Sequence, residues 1–158
     1  MASVPTVPAG SRSLLLLHGP NLNLLGEREP ETYGAATLDE FVDVVRIACA
    51  AEAIEVEAAQ SNAEGDLVDH IHRARGVHRA IIVNPGALTH YAWSLHDAFA
   101  AFDGVVIEVH ISNPNAREPW RHTSVVAPVA DGTIVGFGML GYELAVQAVV
   151  SLLGAGDG

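Results

Sequence analysis

Short apolar runs that alternate with segments of helical spacing constrain this chain more than any other feature. Residues 14–17 (four leucines) predict a first strand, stopped by a Gly19-Pro20 turn. Thr37 and Glu40 have the spacing of a capping box, and beyond them Leu38, Phe41, Val42, Val45 and Cys49 share one helical face. Residues 54–59 predict a second strand. Ser61 and Glu64 repeat the capping-box spacing ahead of Leu67, Ile71 and Ala74. Residues 79–84 (RAIIVN) predict a third strand, followed by a helix with Leu95, Phe99 and Phe102 on one face. Strands four and five are expected at 104–111 and 133–137. Leu140, Leu144, Ala148 and Leu152 then mark the apolar stripe of a last helix.

Strands that alternate with helices predict an α/β fold with a parallel sheet, because parallel neighbours need crossover connections. Continuous apolar runs fit strands covered on both faces. One domain is expected over residues 13–153, between a flexible N-terminal arm at 1–12 and a flexible tail at 154–158. Ligands of such sheets bind beyond the carboxyl ends of the strands, where the winding reverses. In a 2-1-3-4-5 strand order, strands one, three and four are neighbours, and polar clusters follow each of them at 18–34, 84–91 and 108–124.

Composition removes several classes of function. Nineteen acidic residues against eight basic ones leave a formal charge of −11, which argues against a nucleic-acid or anionic-membrane binder. All eight basic residues are arginine. Without a lysine there is no Schiff-base mechanism, pyridoxal enzyme or Walker-A loop. The lone Cys49 excludes an internal disulfide and a cysteine-rich zinc site, and fits a reducing cytoplasm. No dinucleotide fingerprint follows the first strand, and no metal-binding histidine pair is spaced along a helix.

Several side chains in the three clusters carry candidate chemistry. Arg28 and Tyr33 lie between Gly26 and Gly34, two permissive backbone points; a guanidinium beside a phenol favours phenolate and would make a base of it. The plainer reading is a surface arginine and a packed tyrosine. Glu108 and His110 are two apart on a strand and so leave one face, where the carboxylate would fix the imidazole tautomer; a structural pair has the same spacing. His90 follows Asn84-Pro85-Gly86 at an expected helix start, which offers free N–H groups to an anion, although capping by Thr89 explains the segment as well. Arg117 and Arg121 are four apart, on one face if helical, and with Ser112 would suit a carboxylated or hydroxylated substrate. A flavin- or phosphate-binding module of similar architecture is the rival reading, and an inactive scaffold a third.

In this order, GPNLNLLGEREPETYG (19–34), QSNAEGDLVDHIH (60–72), NPGALTH (84–90) and EVHISNPNAREPWRHTS (108–124) resemble the type II 3-dehydroquinate dehydratases. The resemblance spans about residues 13–153. It implies a flavodoxin-like fold and a cytoplasmic homododecamer built as a tetramer of trimers. It also implies dehydration of 3-dehydroquinate to 3-dehydroshikimate through an enolate, with neither metal nor organic cofactor. On the same ground Tyr33 would be the base and Arg28 would hold it ionised and close a lid. Asn21 would place a water on the enolate oxygen, and His110, oriented by Glu108, would protonate the departing hydroxyl. Asn84, His90, Ile111, Ser112 and Arg121 match the substrate-binding set, Arg117 an arginine near the tyrosine, and Asp97 a residue lent to a neighbouring subunit. The chain departs from the commonest pattern at His18 (usually asparagine), Ala63, His70 and Trp120.

Overall fold

The computed structural model describes residues 12–157. Strands β1 (Ser13–His18), β2 (Glu55–Gln60), β3 (Ala80–Asn84), β4 (Val105–His110) and β5 (Gly132–Val135) form one parallel sheet in the order β2-β1-β3-β4-β5. Five helices accompany them: α1 (Pro30–Tyr33), α2 (Leu38–Ala50), α3 (Glu64–Ala74), α4 (Trp93–Ala100) and α5 (Met139–Gly156). This is the expected flavodoxin-like, doubly wound arrangement. Each strand lies within one or two residues of its predicted bounds.

Two cores sandwich the sheet, and strand parity decides which residue joins which. Leu14 and Leu16 of β1, with Ala80 and Ile82 of β3, pack under α2 and α5 together with Phe41, Val45, Tyr142 and Val149. Leu15, Leu17, Ile81 and Val83 point the other way, against Leu67 and Ile71 of α3 and Leu95 and Phe99 of α4. Every residue of β1 and β3 is buried, which explains why these strands read as unbroken apolar runs. The edge strand β2 (EVEAAQ) is only partly covered and keeps its charges.

Local signals fared unevenly. The capping box of α2 is formed, with Glu40 N–H on Thr37 Oγ1 at 3.4 Å and Thr37 N–H on Glu40 Oε2 at 2.7 Å. Its expected counterpart at Ser61 and Glu64 is not. Ala63 occupies the cap position of α3, while the Ser61 hydroxyl donates to Asp66 (2.7 Å) and accepts from Ala63 N–H (3.0 Å).

The expected stripe on α5 falls on the wrong face: Leu140 and Leu152 are 50% and 41% exposed, and Tyr142, Ala145, Val149 and Leu153 face the sheet. That helix is apolar almost all round, so spacing alone could not choose its buried side. Gly154–Gly156, expected in a flexible tail, are its last turn; the following Asp157 bridges Arg12 and Arg79, each at 2.8 Å. The expected N-terminal arm lies, apart from Arg12, outside the described residues.

Two isoleucines separate core from surface in one measurement. Ile71 is fully buried, and Ile71→Ala is expected to cost about 2–5 kcal/mol. Ile47 is 73% exposed, and Ile47→Ala should stay within about 0.5 kcal/mol of the parent. Urea unfolding with unchanged slope tests both.

Candidate active site

Winding reverses between β1 and β3, and the two strands end locked together. Gly19 N–H donates to the Asn84 carbonyl at 2.8 Å, and a Cβ on Gly19 would lie 2.4 Å from the Pro85 carbonyl oxygen, so no other residue fits there. Two residues on, Asn21 adopts φ +68, a left-handed conformation that asparagine tolerates better than most side chains. Its N–H is taken by Asn62 Oδ1 at 2.9 Å, so the loop after β2, which carried no candidate, braces the loop after β1.

Beyond this junction lies a cleft. Asn21, Arg28 and Tyr33 enter it from the loop after β1, and Asn84 and His90 from the end of β3 and its loop. His110, Ile111, Ser112, Arg117 and Arg121 come from β4 and the segment after it. Ten of the twelve candidate residues therefore line one cavity. Glu108 sits directly behind it. Asp97 does not line it; it is exposed on α4.

Glu108 and His110 share a strand face as their spacing requires, and His110 Nε2–H donates to Glu108 Oε1 at 2.7 Å. The carboxylate is fully buried. Burial alone would raise its pKa, but the hydrogen bond and charge of His110, with the Thr89 and Ser124 hydroxyls, outweigh it and hold the carboxyl below its usual range. Ser124 in turn accepts from the N–H groups of Val126 and Ala127. With Nε2 committed, Nδ1 is the His110 nitrogen left to meet a ligand.

Tyr33 sits under two arginines. Arg117 Nη1 donates to its hydroxyl oxygen at 2.8 Å and to Ser112 Oγ at 3.2 Å. The guanidinium carbons of Arg117 and Arg28 lie 5.4 and 5.7 Å from the ring centroid. The expected partner of the phenol was Arg28, yet Arg28 pairs with Glu29 at 3.0 Å and Arg117 alone reaches the oxygen. Gly26 and Gly34 both have positive φ, +89 and +78, at the neck of the loop that carries Arg28 and Tyr33.

Two expectations about the remaining side chains need correction. His90 ends a 3-10 turn, Gly86–His90, and α4 begins only at Trp93, so no helix start stands at His90. Its Nδ1 donates to the Thr123 carbonyl at 2.7 Å; burial, with the nearby His110 and Arg121, lowers its pKa and leaves Nε2 as an acceptor. Arg117 and Arg121 do not share a helix face, because Pro119 starts a separate 3-10 turn between them. Arg121 instead stacks on Trp120 (4.0 Å) and pairs with Glu118.

Thr89, Ser124 and Tyr142 support the site and were not singled out by sequence as site residues. Thr89 was expected as a helix cap, but its hydroxyl goes to Glu108. Among the described residues, no cluster of three His, Cys, Asp or Glu is arranged to hold a metal ion. Three arginines gathered at the cleft of an acidic chain give it a local field suited to an anion.

Comparison with known proteins adds to this geometry. The family described as dehydroquinase class II matches residues 12–150. A 3-dehydroquinate dehydratase 1 of Corynebacterium efficiens is 54% identical over 138 residues, covering 87% of this chain and 91% of its own. The 3-dehydroquinate dehydratase of Anoxybacillus flavithermus is 52% identical over 139 residues, covering 88% and 94%. Among solved structures, the type II dehydroquinase of Propionibacterium acnes superposes with a TM-score of 0.85 at 39% identity, covering 89% of this chain and 97% of that one.

The buried carboxylate leads to a pH-dependent outcome. Because the folded-state pKa of Glu108 lies below the unfolded one, its ionisation stabilises the fold above the ordinary carboxyl range, and that contribution is lost as pH falls through the folded-state value. The stability gap between the parent and Glu108→Gln should narrow from pH 6 towards pH 3 in urea unfolding. A gap that stays constant would contradict the assignment.

Proposed function

The chain belongs to the class II dehydroquinase family, and from that premise we propose that its cleft dehydrates 3-dehydroquinate to 3-dehydroshikimate through an enolate. The observation that carries the reading is a phenol oxygen held by a guanidinium, Tyr33 by Arg117 at 2.8 Å, facing the same cleft as a carboxylate-backed imidazole.

A proton next to a ketone is weakly acidic, so its removal needs a strong base and a stabilised enolate oxygen. Tyr33, its oxygen held by Arg117 and its ring flanked by Arg28, is the base that takes that proton. Asn21, held left-handed at the cleft mouth, offers its amide to a water that hydrogen-bonds the enolate oxygen. Collapse of the enolate expels the β-hydroxyl, which leaves as water with a proton from His110. Ionised Glu108 accepts the Nε2–H of His110 and so fixes its ring. Proton out and hydroxyl out balance as one water, with no change of oxidation state overall. The reaction therefore needs no oxidant or reductant, and a lysine-free chain has no imine route.

Ser112, His90, Asn84, Arg121 and the Ile111 backbone line the cleft and are the set offered to the remaining oxygens of the substrate, with Ser112 and the backbone amides at its carboxylate. Asp97, exposed on α4 and outside this cleft, would serve a neighbouring copy's site in the homododecamer of four trimers that the resemblance implies. A cytoplasmic enzyme is the setting that fits.

Tyr33→Phe should lower kcat by about 10²- to 10⁴-fold, with KM within about threefold, because it removes the base and little else. Product appearance in the near ultraviolet and an unchanged circular dichroism spectrum read the two halves. Turnover is also expected to survive exhaustive chelation; activity lost with EDTA and regained with added metal would sink the cofactor-free mechanism.

A further inference from the structure

His18 and Asn84 are register partners at the ends of β1 and β3, side by side on the face that α5 covers. Tyr142 of α5 rises between them. Its hydroxyl lies 3.1 Å from His18 Nε2 and 3.1 Å from Asn84 Nδ2, its ring stacks on the imidazole 5.7 Å away, and it is fully buried. Asn84 Oδ1 meanwhile accepts Gly86 N–H at 3.2 Å, and Asn84 also lines the cleft.

Pairing along this chain favours one arrangement. Gly86 N–H can only donate, so it takes the carbonyl end of the Asn84 amide and turns the NH₂ end towards Tyr142. The Tyr142 oxygen then accepts, and its own hydrogen finds an acceptor in His18 Nε2. That arrangement makes His18 neutral, with its proton on Nδ1. Burial favours that state, lowering the His18 pKa to about 4, while burial also keeps Tyr142 protonated by raising its pKa. One amide hydrogen of Asn84 remains for a ligand.

We propose that Tyr142 and His18 are positioning residues: a buried relay that fixes the Asn84 amide so that the cleft presents a donor, not an acceptor, to a substrate oxygen. The proposal rests on the reading above for the identity of that substrate, a hydroxylated carboxylic acid.

Two measurements decide it. Tyr142→Phe keeps the ring and deletes the relay oxygen, so KM for 3-dehydroquinate should rise roughly five- to thirtyfold with kcat nearly unchanged, since Asn84 binds without taking part in proton transfer. An unchanged KM, or a fall in kcat at constant KM, would overturn it. Independently, ¹⁵N shifts of the histidine-labelled, unsubstituted protein at pH 7 should show His18 as the Nδ1–H tautomer with a bare Nε2. A protonated Nε2 refutes the relay even if the variant fails to fold. If the unsubstituted protein leaves 3-dehydroquinate unchanged, the functional reading fails while the tautomer still decides the relay.

Discussion

Between β1 and β3 the backbone hydrogen bond from Gly19 to Asn84, with no room for a side chain on Gly19, fuses the two strand ends at which the winding reverses. Everything in the cleft hangs from that seam. The loop after β1 leaves it carrying Asn21, Arg28 and Tyr33, and the loop after β3 leaves it carrying His90. Because β4 pairs with β3, its end brings His110 and Ser112 to the same edge. A doubly wound sheet thus collects groups that lie up to a hundred residues apart in sequence.

Electrostatics in the cleft is layered by depth. Glu108 is the buried anion, kept ionised by hydroxyls and an imidazole at hydrogen-bonding distance, and its influence reaches the ligand only through His110. The arginines stand nearer the surface, where Glu29 and Glu118 hold Arg28 and Arg121, and Arg117 is left against the Tyr33 oxygen. Hence an acidic chain can present a basic cleft: the net charge is spread over the outer surface, while the local field comes from three guanidinium groups.

Several features are legible in the amino-acid sequence itself. The βα alternation, the α2 capping box and the Glu108–His110 pair rest on periodicities of two and 3.6 or on contacts three residues apart, and those survive folding because they are local. Other expectations failed where a local rule had a rival partner or where the pattern left the choice open. Ser61 found Asp66 instead of capping α3, and α5 turned a different face inward because nearly all its faces are apolar. Thr89, expected to cap a helix, gave its hydroxyl to a carboxylate nineteen residues away.

Residue types and their periodic spacing determine the sheet, its helices and the strand ends that carry chemistry, since burial and backbone geometry act over a few residues at a time. Which arginine touches Tyr33, which loop braces Asn21 and which helix face meets His18 depend on distances between segments remote in sequence. Only packing sets those distances. A hydrogen bond fails within an ångström of its length, so partners of this kind are chosen by the folded molecule and not by spacing along the chain.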